Sequence, residues 1–310
     1  MEAAVSLAVE LALSPDEALD ALTDELSLAG AVLEQAELEL EPIDGGTRVR
    51  LELRLDPELI GDRGRELAGW FVSQALAPLL RAAEAEAAGD WVTDRRARRP
   101  SGAQAREVYA DPTYHWPNFL AILAELSVTA DDVLLEVGCG GGAFLREALK
   151  AGCRAAGIDH SPDMVRLARE QNAEAIEEGR LEVLEGDAAA LPFADDTFTA
   201  AVMTGVLGFL PDPVAVFGEI RRVLGPGGRM VAFGSDPAMK GTPGAPEPMA
   251  SRLRFYTDDE HELIGREAGF DDVQVVRIPL GDFAREAGLP EDVVAFFGGP
   301  GAPFLLASKH

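Results

Sequence analysis

Over the first 55 residues, apolar positions tend to recur at every second place. Val5, Leu7, Val9, Leu11 and Leu13 mark the period of a half-buried strand. Ser14-Pro15-Asp16-Glu17 supplies an N-cap, a proline at the first helical position and a capping-box glutamate, which predicts a helix through about Leu26. Leu38 and Leu40 alternate with Glu37, Glu39 and Glu41, and Asp44-Gly45-Gly46 is a hairpin turn signal. Val49, Leu51, Leu53 and Leu55 then alternate with Arg48, Arg50, Glu52 and Arg54. Glutamates on one strand are expected to face arginines on the next, each pair adding roughly 0.2–1 kcal/mol. Leu67, Trp70 and Phe71 open an amphipathic helix that Pro78 kinks or divides. From about residue 106 the texture changes. A helical pattern runs from Arg106 to Leu126, interrupted at Pro112 and Pro117. Short apolar runs then alternate with helical stretches: Val133–Val137, Ala155–Asp159, Leu181–Glu185, Thr199–Thr204 and Met230–Phe233. Strands near Asp272–Ile278 and Phe304–Ser308, with a helix over 257–268 before them, finish the series. Alternating β and α elements predict an α/β fold with a parallel, doubly wound sheet.

Charge divides the chain further. Residues 1–90 carry 20 acidic and 6 basic side chains, whereas 91–106 carry one acid and five arginines. Asp94-Arg-Arg-Ala-Arg-Arg-Pro-Ser-Gly102 combines like charge, Pro and Gly, and reads as a solvated linker over 91–105, with an arginine phosphate site as the alternative. The boundaries are therefore an α+β domain over 1–90, this linker, and an α/β domain over 106–310. The whole chain of 310 residues has a formal net charge of −27, which argues against a nucleic-acid or anionic-membrane partner. Cys139 and Cys153 cannot make a disulfide framework, and His115, His160, His261 and His310 lack metal-ligand spacing, so no metal is expected. The acidic N-terminus has no basic signal-peptide region and no run of about 18 apolar residues occurs, which predicts a cytoplasmic protein.

The strand–helix–hairpin–helix order of the first 90 residues, carried by Val5 to Leu22 and Gly45 to Leu55, resembles the helix-grip domains of the START-like superfamily, which includes polyketide cyclases. That resemblance implies a module that covers or holds an apolar substrate. A docking or dimerising domain, giving a homo-oligomer, is the other reading.

The chemistry lies in Leu134-Leu-Glu-Val-Gly-Cys-Gly-Gly-Gly-Ala143, a buried strand running into glycines and then a helix over 144–151. Gly138 and Gly140 permit a tight turn and close approach of backbone to a ligand. Asp159 ends the next strand, 19 residues after Gly140, where a carboxylate can accept both ribose hydroxyls of an adenosine-containing ligand. Asp187 ends the third strand and can accept from an adenine amino group; Thr204 ends the fourth. Ligands of open α/β sheets bind at these carboxyl ends.

With Gly157-Ile-Asp-His-Ser-Pro-Asp-Met164, Gly186-Asp-Ala-Ala-Ala-Leu-Pro-Phe193, Asp195-Asp-Thr-Phe198, Arg222-Val-Leu-Gly-Pro-Gly-Gly228, Arg252-Leu-Arg-Phe-Tyr-Thr-Asp-Asp-Glu260 and Glu267-Ala-Gly-Phe270, the chain over about 105–310 resembles the class I S-adenosylmethionine-dependent methyltransferases, particularly the ubiquinone/menaquinone-biosynthesis group. The resemblance implies a Rossmann-like seven-stranded sheet, S-adenosyl-L-methionine as cofactor and a small-molecule methyl acceptor. It implies that Gly138, Cys139 and Gly140 present backbone to the methionine and ribose, and that Glu136 fixes the loop or meets the amino group. Asp159 would take the ribose, His160 and Met164 would flank adenine or ribose, Asp187 and Ala188 would read the adenine edge, and Thr204, Gly205 and Val206 would line the methionine side.

Each residue has a plainer reading. Asp159 precedes Ser161-Pro162 and could cap a helix; Cys139 reads as a backbone contact rather than a nucleophile; His160 and Met164 could be surface and core. Tyr109-Ala-Asp-Pro-Thr-Tyr-His-Trp-Pro117 could close over the cofactor, wall the acceptor pocket, or merely anchor a helix; within it His115 beside Tyr114 is the candidate general base, with Tyr109 and Tyr114 also candidates for acceptor contact. The Pro/Gly-rich stretch 235–254 reads as a lid loop, with Arg252, Arg254 and Tyr256 able to meet an anionic or phenolic acceptor. Competing functions are a catalytically silent S-adenosylmethionine-binding protein and an NAD-dependent oxidoreductase, the latter because Gly138-x-Gly140-x-x-Ala143 also fits a dinucleotide fingerprint.

Overall fold

The computed structural model describes residues 3–11, 13–18, 33–55, 89–90 and 92–310. The predicted helix beyond Ala18 and the helix around Trp70 and Pro78 lie outside the described residues. The chain divides into two units, one of residues 1–97 with 102–104, the other of 98–101 with 105–310.

In the first unit β1 (Ala3–Leu11), β2 (Leu33–Ile43) and β3 (Gly46–Leu55) form an antiparallel sheet in the order β1-β3-β2. The predicted hairpin is present: Gly45 takes the turn with φ +78°, a conformation open to glycine, and Glu39 opposes Arg50 while Glu41 opposes Arg48. Arg48 bridges Glu10 at 2.7 Å and Glu41 at 2.9 Å across three strands, and Arg50 meets Glu39 at 3.1 Å. Leu11 and Val49 are buried, and Thr47 donates its hydroxyl to Leu13 O at 2.8 Å. The Ser14–Glu17 capping box also forms, the Ser14 amide donating to Glu17 Oε2 at 2.9 Å.

The second unit is built on seven strands. They are β4 (Val133–Val137), β5 (Arg154–Asp159), β6 (Leu181–Glu185), β7 (Phe198–Thr204), β8 (Leu224–Phe233), β9 (Asp272–Ile278) and β10 (Ala302–Ser308). Their order is β6-β5-β4-β7-β8-β10-β9, with β4 to β8 mutually parallel and β10 antiparallel to both neighbours. The chain reverses its direction across the sheet between β4 and β7, which opens the switch-point crevice at their carboxyl ends. The helices are α1 (Gly102–Ala110), α2 (Trp116–Leu126), α3 (Ala143–Ala148), α4 (Pro162–Gln171), α5 (Ala173–Glu177), α6 (Pro213–Val223), α7 (Asp258–Glu267), α8 (Gly281–Glu286) and α9 (Glu291–Val294). Successive strand residues serve opposite faces. Leu134, Ala200 and Val202 pack with Phe119, Ile122 and Phe144 of α2 and α3, whereas Leu135, Ala201 and Met203 pack with Phe217, Ile220 and Ile264 of α6 and α7.

Two expectations change. The strand read from Met230 begins at Leu224, because the Gly225–Gly228 turn sits inside a bulge that shifts the pairing from Phe198/Leu224 to Ala200/Arg229. The arginine-rich stretch is not a solvated hinge throughout. Asp94–Arg98 is a wide helical turn, Pro100 is buried, and the carbonyls of Arg98 and Pro100 meet His160 Nε2 and Ser161 Oγ at the end of β5. Like charge keeps guanidinium groups apart but leaves the backbone carbonyls available to donors.

Candidate active site

β4 delivers Glu136 to the crevice and then breaks into Gly138, Cys139, Gly140, Gly141 and Gly142 before α3. Gly138 and Gly142 hold φ near +77°, and Gly140 holds +49°. Backbone bonds fold the loop onto β5: the amides of Gly138 and Cys139 both donate to Ile158 O, at 2.8 and 3.1 Å. Asp159 closes it. Its Oδ2 accepts from Gly140 N at 2.9 Å and its Oδ1 from Ser161 N at 2.8 Å. Asp159 is therefore not the cap of α4; Ser161 is, accepting from Met164 N at 3.3 Å with Pro162 at the first position. Gly186 N donates to Asp159 O at 3.0 Å, which sets Asp187 on the strand end beside Asp159. Asp187 is exposed and closes its own turn by accepting from Ala189 N at 2.9 Å. On the other flank Gly205 N donates to Phe233 O at 3.1 Å, and Val206 packs on Gly138.

Electrostatically the crevice is a place for a cation or a donor. Glu136 is 3% exposed and its Oε2 has no hydrogen-bond partner among the described residues. Burial first, and the charge of Asp159 second, push its carboxyl well above the usual range. Burial also raises Asp159, against the pull of the Ser161 and Gly140 amides. Thr204 Oγ1 is a second buried polar atom without a partner among the described residues. Burial pushes the Cys139 thiol well up, so it is no thiolate nucleophile at neutral pH.

Residues 135–232 match the family model described as a methyltransferase domain. Over 117 residues the chain is 35% identical to a demethylmenaquinone methyltransferase of Tropheryma whipplei, covering 38% of this chain and 46% of the relative. Over 112 residues it is 28% identical to a sterol 4-C-methyltransferase of Caenorhabditis elegans, covering 36% and 34%. The chain thus spans about a third to a half of the length of these curated relatives. A methyltransferase structure from Mesorhizobium loti has the same fold, with TM-score 0.52 and 20% identity over 64% of this chain and 100% of that one. One from Aquifex aeolicus gives 0.51 and 20% over 66% and 96%. Residues 135–232 are thus similar to methyltransferase domains, and the sheet that contains them has the methyltransferase fold. S-adenosylmethionine is the cofactor of this family and fold. The likeness of the first 90 residues to START-like domains finds no support in these comparisons, and neither the NAD reading nor a silent binding protein is favoured.

Other expected site residues of the methyltransferase domain fall into two groups. Tyr109, on α1, lies directly on the glycine loop. A Cβ on Gly140 would stand 2.9 Å from its ring, and one on Gly141 would stand 2.3 Å from its carbonyl oxygen. These glycines are thus required by protein packing, not only by approach to a ligand. Burial and the charge of Asp159 push the Tyr109 hydroxyl above its ordinary value. His115 is exposed on the turn before α2 and stacks on Phe119 at 6.0 Å, and desolvation by the protein packed there lowers its pKa from the ordinary histidine value.

The second group is engaged elsewhere. Met164 is fully buried with Ala105 and Leu167 beneath α1, packed as a core residue. His160 meets the Arg98 carbonyl. Tyr114 is 66% exposed. Arg252 donates to Pro248 O at 3.0 Å within its own loop, and Arg254 donates to Pro211 O at 2.9 Å, tying that loop to the segment before α6. Tyr256 buries its hydroxyl, and its ring meets His261 edge-on at 5.8 Å. Sequence reasoning missed the docking of Tyr109 on the loop. Its one signal was the third consecutive glycine, one more than a phosphate- or ribose-binding turn requires. It also missed Asn118, 7% exposed on α2, whose Oδ1 has no partner among the described residues. A groove of about 260 Å³ lined by Trp116, Leu120, Glu147, Glu286 and Ala287 shares no residue with this crevice.

Proposed function

We propose that the chain transfers a methyl group from S-adenosylmethionine to a small, largely apolar acceptor. The observation that carries this reading is the pair of carboxylates at adjacent strand ends, Asp159 and Asp187, beside a buried Glu136 with an unpartnered oxygen. These residues fit the cofactor: the carboxyl of Glu136 suits the ammonium of the methionine part, Asp159 the ribose hydroxyls, and Asp187 with Ala188 the adenine edge. Gly138, Cys139 and Gly140 offer backbone to the ribose and methionine, and Thr204, Gly205 and Val206 bound the methionine side.

When bound, the cofactor supplies a methyl group already activated by a sulfonium, and displacement leaves the S–C electron pair on sulfur. The protein therefore aligns the acceptor and excludes water, an arrangement that contributes roughly 7–11 kcal/mol in favourable systems. Tyr109 and α1 cover the glycine loop. His115, neutral and accessible, takes the proton of an acceptor hydroxyl, enol or amine that must lose one. The quinone and sterol acceptors named for the relatives are apolar ring systems, which supports an apolar acceptor here. The first unit is read as an accessory module for substrate binding or self-association.

Calorimetry with S-adenosylmethionine and S-adenosylhomocysteine tests the cofactor, and saturable heat is expected from both. Isotope-labelled cofactor added with the protein to extract, followed by mass spectrometry, identifies the acceptor. Absence of any labelled metabolite, despite binding, would leave a silent binding protein.

A further inference from the structure

The segment that follows Asp187 is held from outside by one side chain. Arg222, on the last turn of α6, donates Nη1 to Phe193 O at 2.8 Å and to Asp195 Oδ1 at 2.9 Å, and Nη2 to Leu191 O at 3.0 Å. Glu219, one turn earlier, holds the guanidinium bidentately, with Nε and Nη2 each at 2.8 Å from its carboxylate. The same carboxylate accepts from Leu191 N at 2.9 Å. The Arg222 carbonyl accepts from Asp196 N at 3.1 Å, so side chain and backbone grip both ends of 191–196. Leu191 is 5% exposed. Among the described residues Asp187 itself accepts only local turn bonds, from Ala189 N to its side chain and from Ala190 N to its carbonyl. The bond from Gly186 N to Asp159 O fixes the chain just before Asp187, and the segment anchored by Arg222 and Glu219 fixes it from four residues after.

We propose that the Arg222–Glu219 pair is a positioning device for adenine recognition, setting where Asp187 and Ala188 stand although neither Arg222 nor Glu219 touches the nucleoside. The inference rests on the reading that Asp187 and Ala188 meet the adenine edge. A planar fork suits the task. Five donors in fixed geometry satisfy three carbonyl and carboxylate acceptors on the loop while two carboxylate oxygens hold the fork still. Lysine, a point charge with a flexible stem, restores the charge but not the geometry.

The test compares S-adenosylhomocysteine with S-inosylhomocysteine, in which the adenine amino group is replaced by oxygen. Calorimetric affinities are measured for the wild type, Arg222→Gln, Arg222→Lys, Glu219→Gln and Asp187→Ala. The ratio of the two affinities is read, because a general loss of stability lowers both together. We expect the wild type to favour the adenosyl ligand and Asp187→Ala to abolish that preference. Arg222→Gln should reduce the preference about ten-fold, the value of one well-made hydrogen bond, with Arg222→Lys in between. If Asp187→Ala leaves the preference intact, the adenine-edge reading is wrong. If Asp187→Ala removes it while Arg222→Gln retains it in full, the clamp is wrong and the reading stands. Should Arg222→Gln not fold, Glu219→Gln and Arg222→Lys are read by the same ratio, and a preference equal to the wild type in both overturns the proposal.

Discussion

Asp132 and Glu136 flank opposite ends of one five-residue strand, both carboxyls are little exposed, and their surroundings push them in opposite directions. Below β4, Asp132 accepts from Arg229 twice, at 2.9 and 3.0 Å, from Thr199 Oγ1 at 2.6 Å and from Thr129 N at 2.8 Å. Those donors hold its pKa far below the usual carboxylate range. Above β4, Glu136 has one oxygen without a partner and a second carboxylate as neighbour, and its pKa rises. At the closed end of β4 the carboxylate is fully engaged by donors; at the open end a buried acid lacks a donor among the described residues. A buried acid without a donor is costly, so the difference favours this end of β4 as the one at which a ligand belongs.

The largest effect is expected at the closed end. Asp132→Ala strands Arg229 and the Thr129 amide, and should cost about 2–3 kcal/mol, discounted because Arg229 is one-third exposed. Thermal unfolding would register a midpoint lower by on the order of 5–10 °C, with S-adenosylhomocysteine affinity unchanged at 25 °C. Loss of affinity equal to that at the other end would erase the division. The acid limb carries the same message. A carboxyl with a depressed folded pKa stabilises the fold above its unfolded value, near 4, and that contribution is lost as pH falls through the folded value. The wild type should therefore lose more stability than Asp132→Ala between pH 4 and about 2.

Asp159→Ala tests the open end. It removes the acceptor for Gly140 N and Ser161 N together with the groups offered to the ribose. S-adenosylhomocysteine should bind roughly a hundred-fold more weakly. Asp159→Asn retains an acceptor for the loop and should fall between. Unchanged affinity in the alanine variant would detach Asp159 from the ligand and leave it a loop tie.

Much of this contrast is written in local pattern. The short apolar runs marked Val133–Val137 and Leu181–Glu185 to the residue, and Ser14 with its partner Glu17 announced a capping box by spacing. Asp159 and Asp187 were legible because strand ends and glycines place them. What stayed hidden depends on side chains reaching backbone far along the chain: Arg229 to Leu126 O, Arg222 to Leu191 O, and the carbonyls of Arg98 and Pro100 taken by His160 and Ser161. Such bonds leave no periodic trace. The packing of Met164 against Ala105 stayed hidden for a related reason, since Ala105 comes from a segment read as a linker's edge.

The smallest predicted effect bears most directly on Glu136. Its folded pKa is raised by burial, by Asp159, and in a setting that also holds the Cys139 thiol and the Tyr109 ring. In the free protein the carboxyl therefore keeps its proton at pH values where an exposed glutamate has lost it. An ammonium brought against the unpartnered Oε2 favours the ionised form and lowers that pKa. Binding should then release a proton, and affinity should rise with pH between the bound and free pKa values, by less than about ten-fold if the shift is under one unit. Calorimetry at a series of pH values above 4.5, each in two buffers of different ionisation enthalpy, counts the protons. Wild type should show a buffer-dependent heat and Glu136→Gln should not, because the amide cannot release one. Equal buffer dependence in the two proteins would assign the proton to the ligand's own amino group, and the open end of β4 would then lack the cation partner that its orphaned oxygen implies.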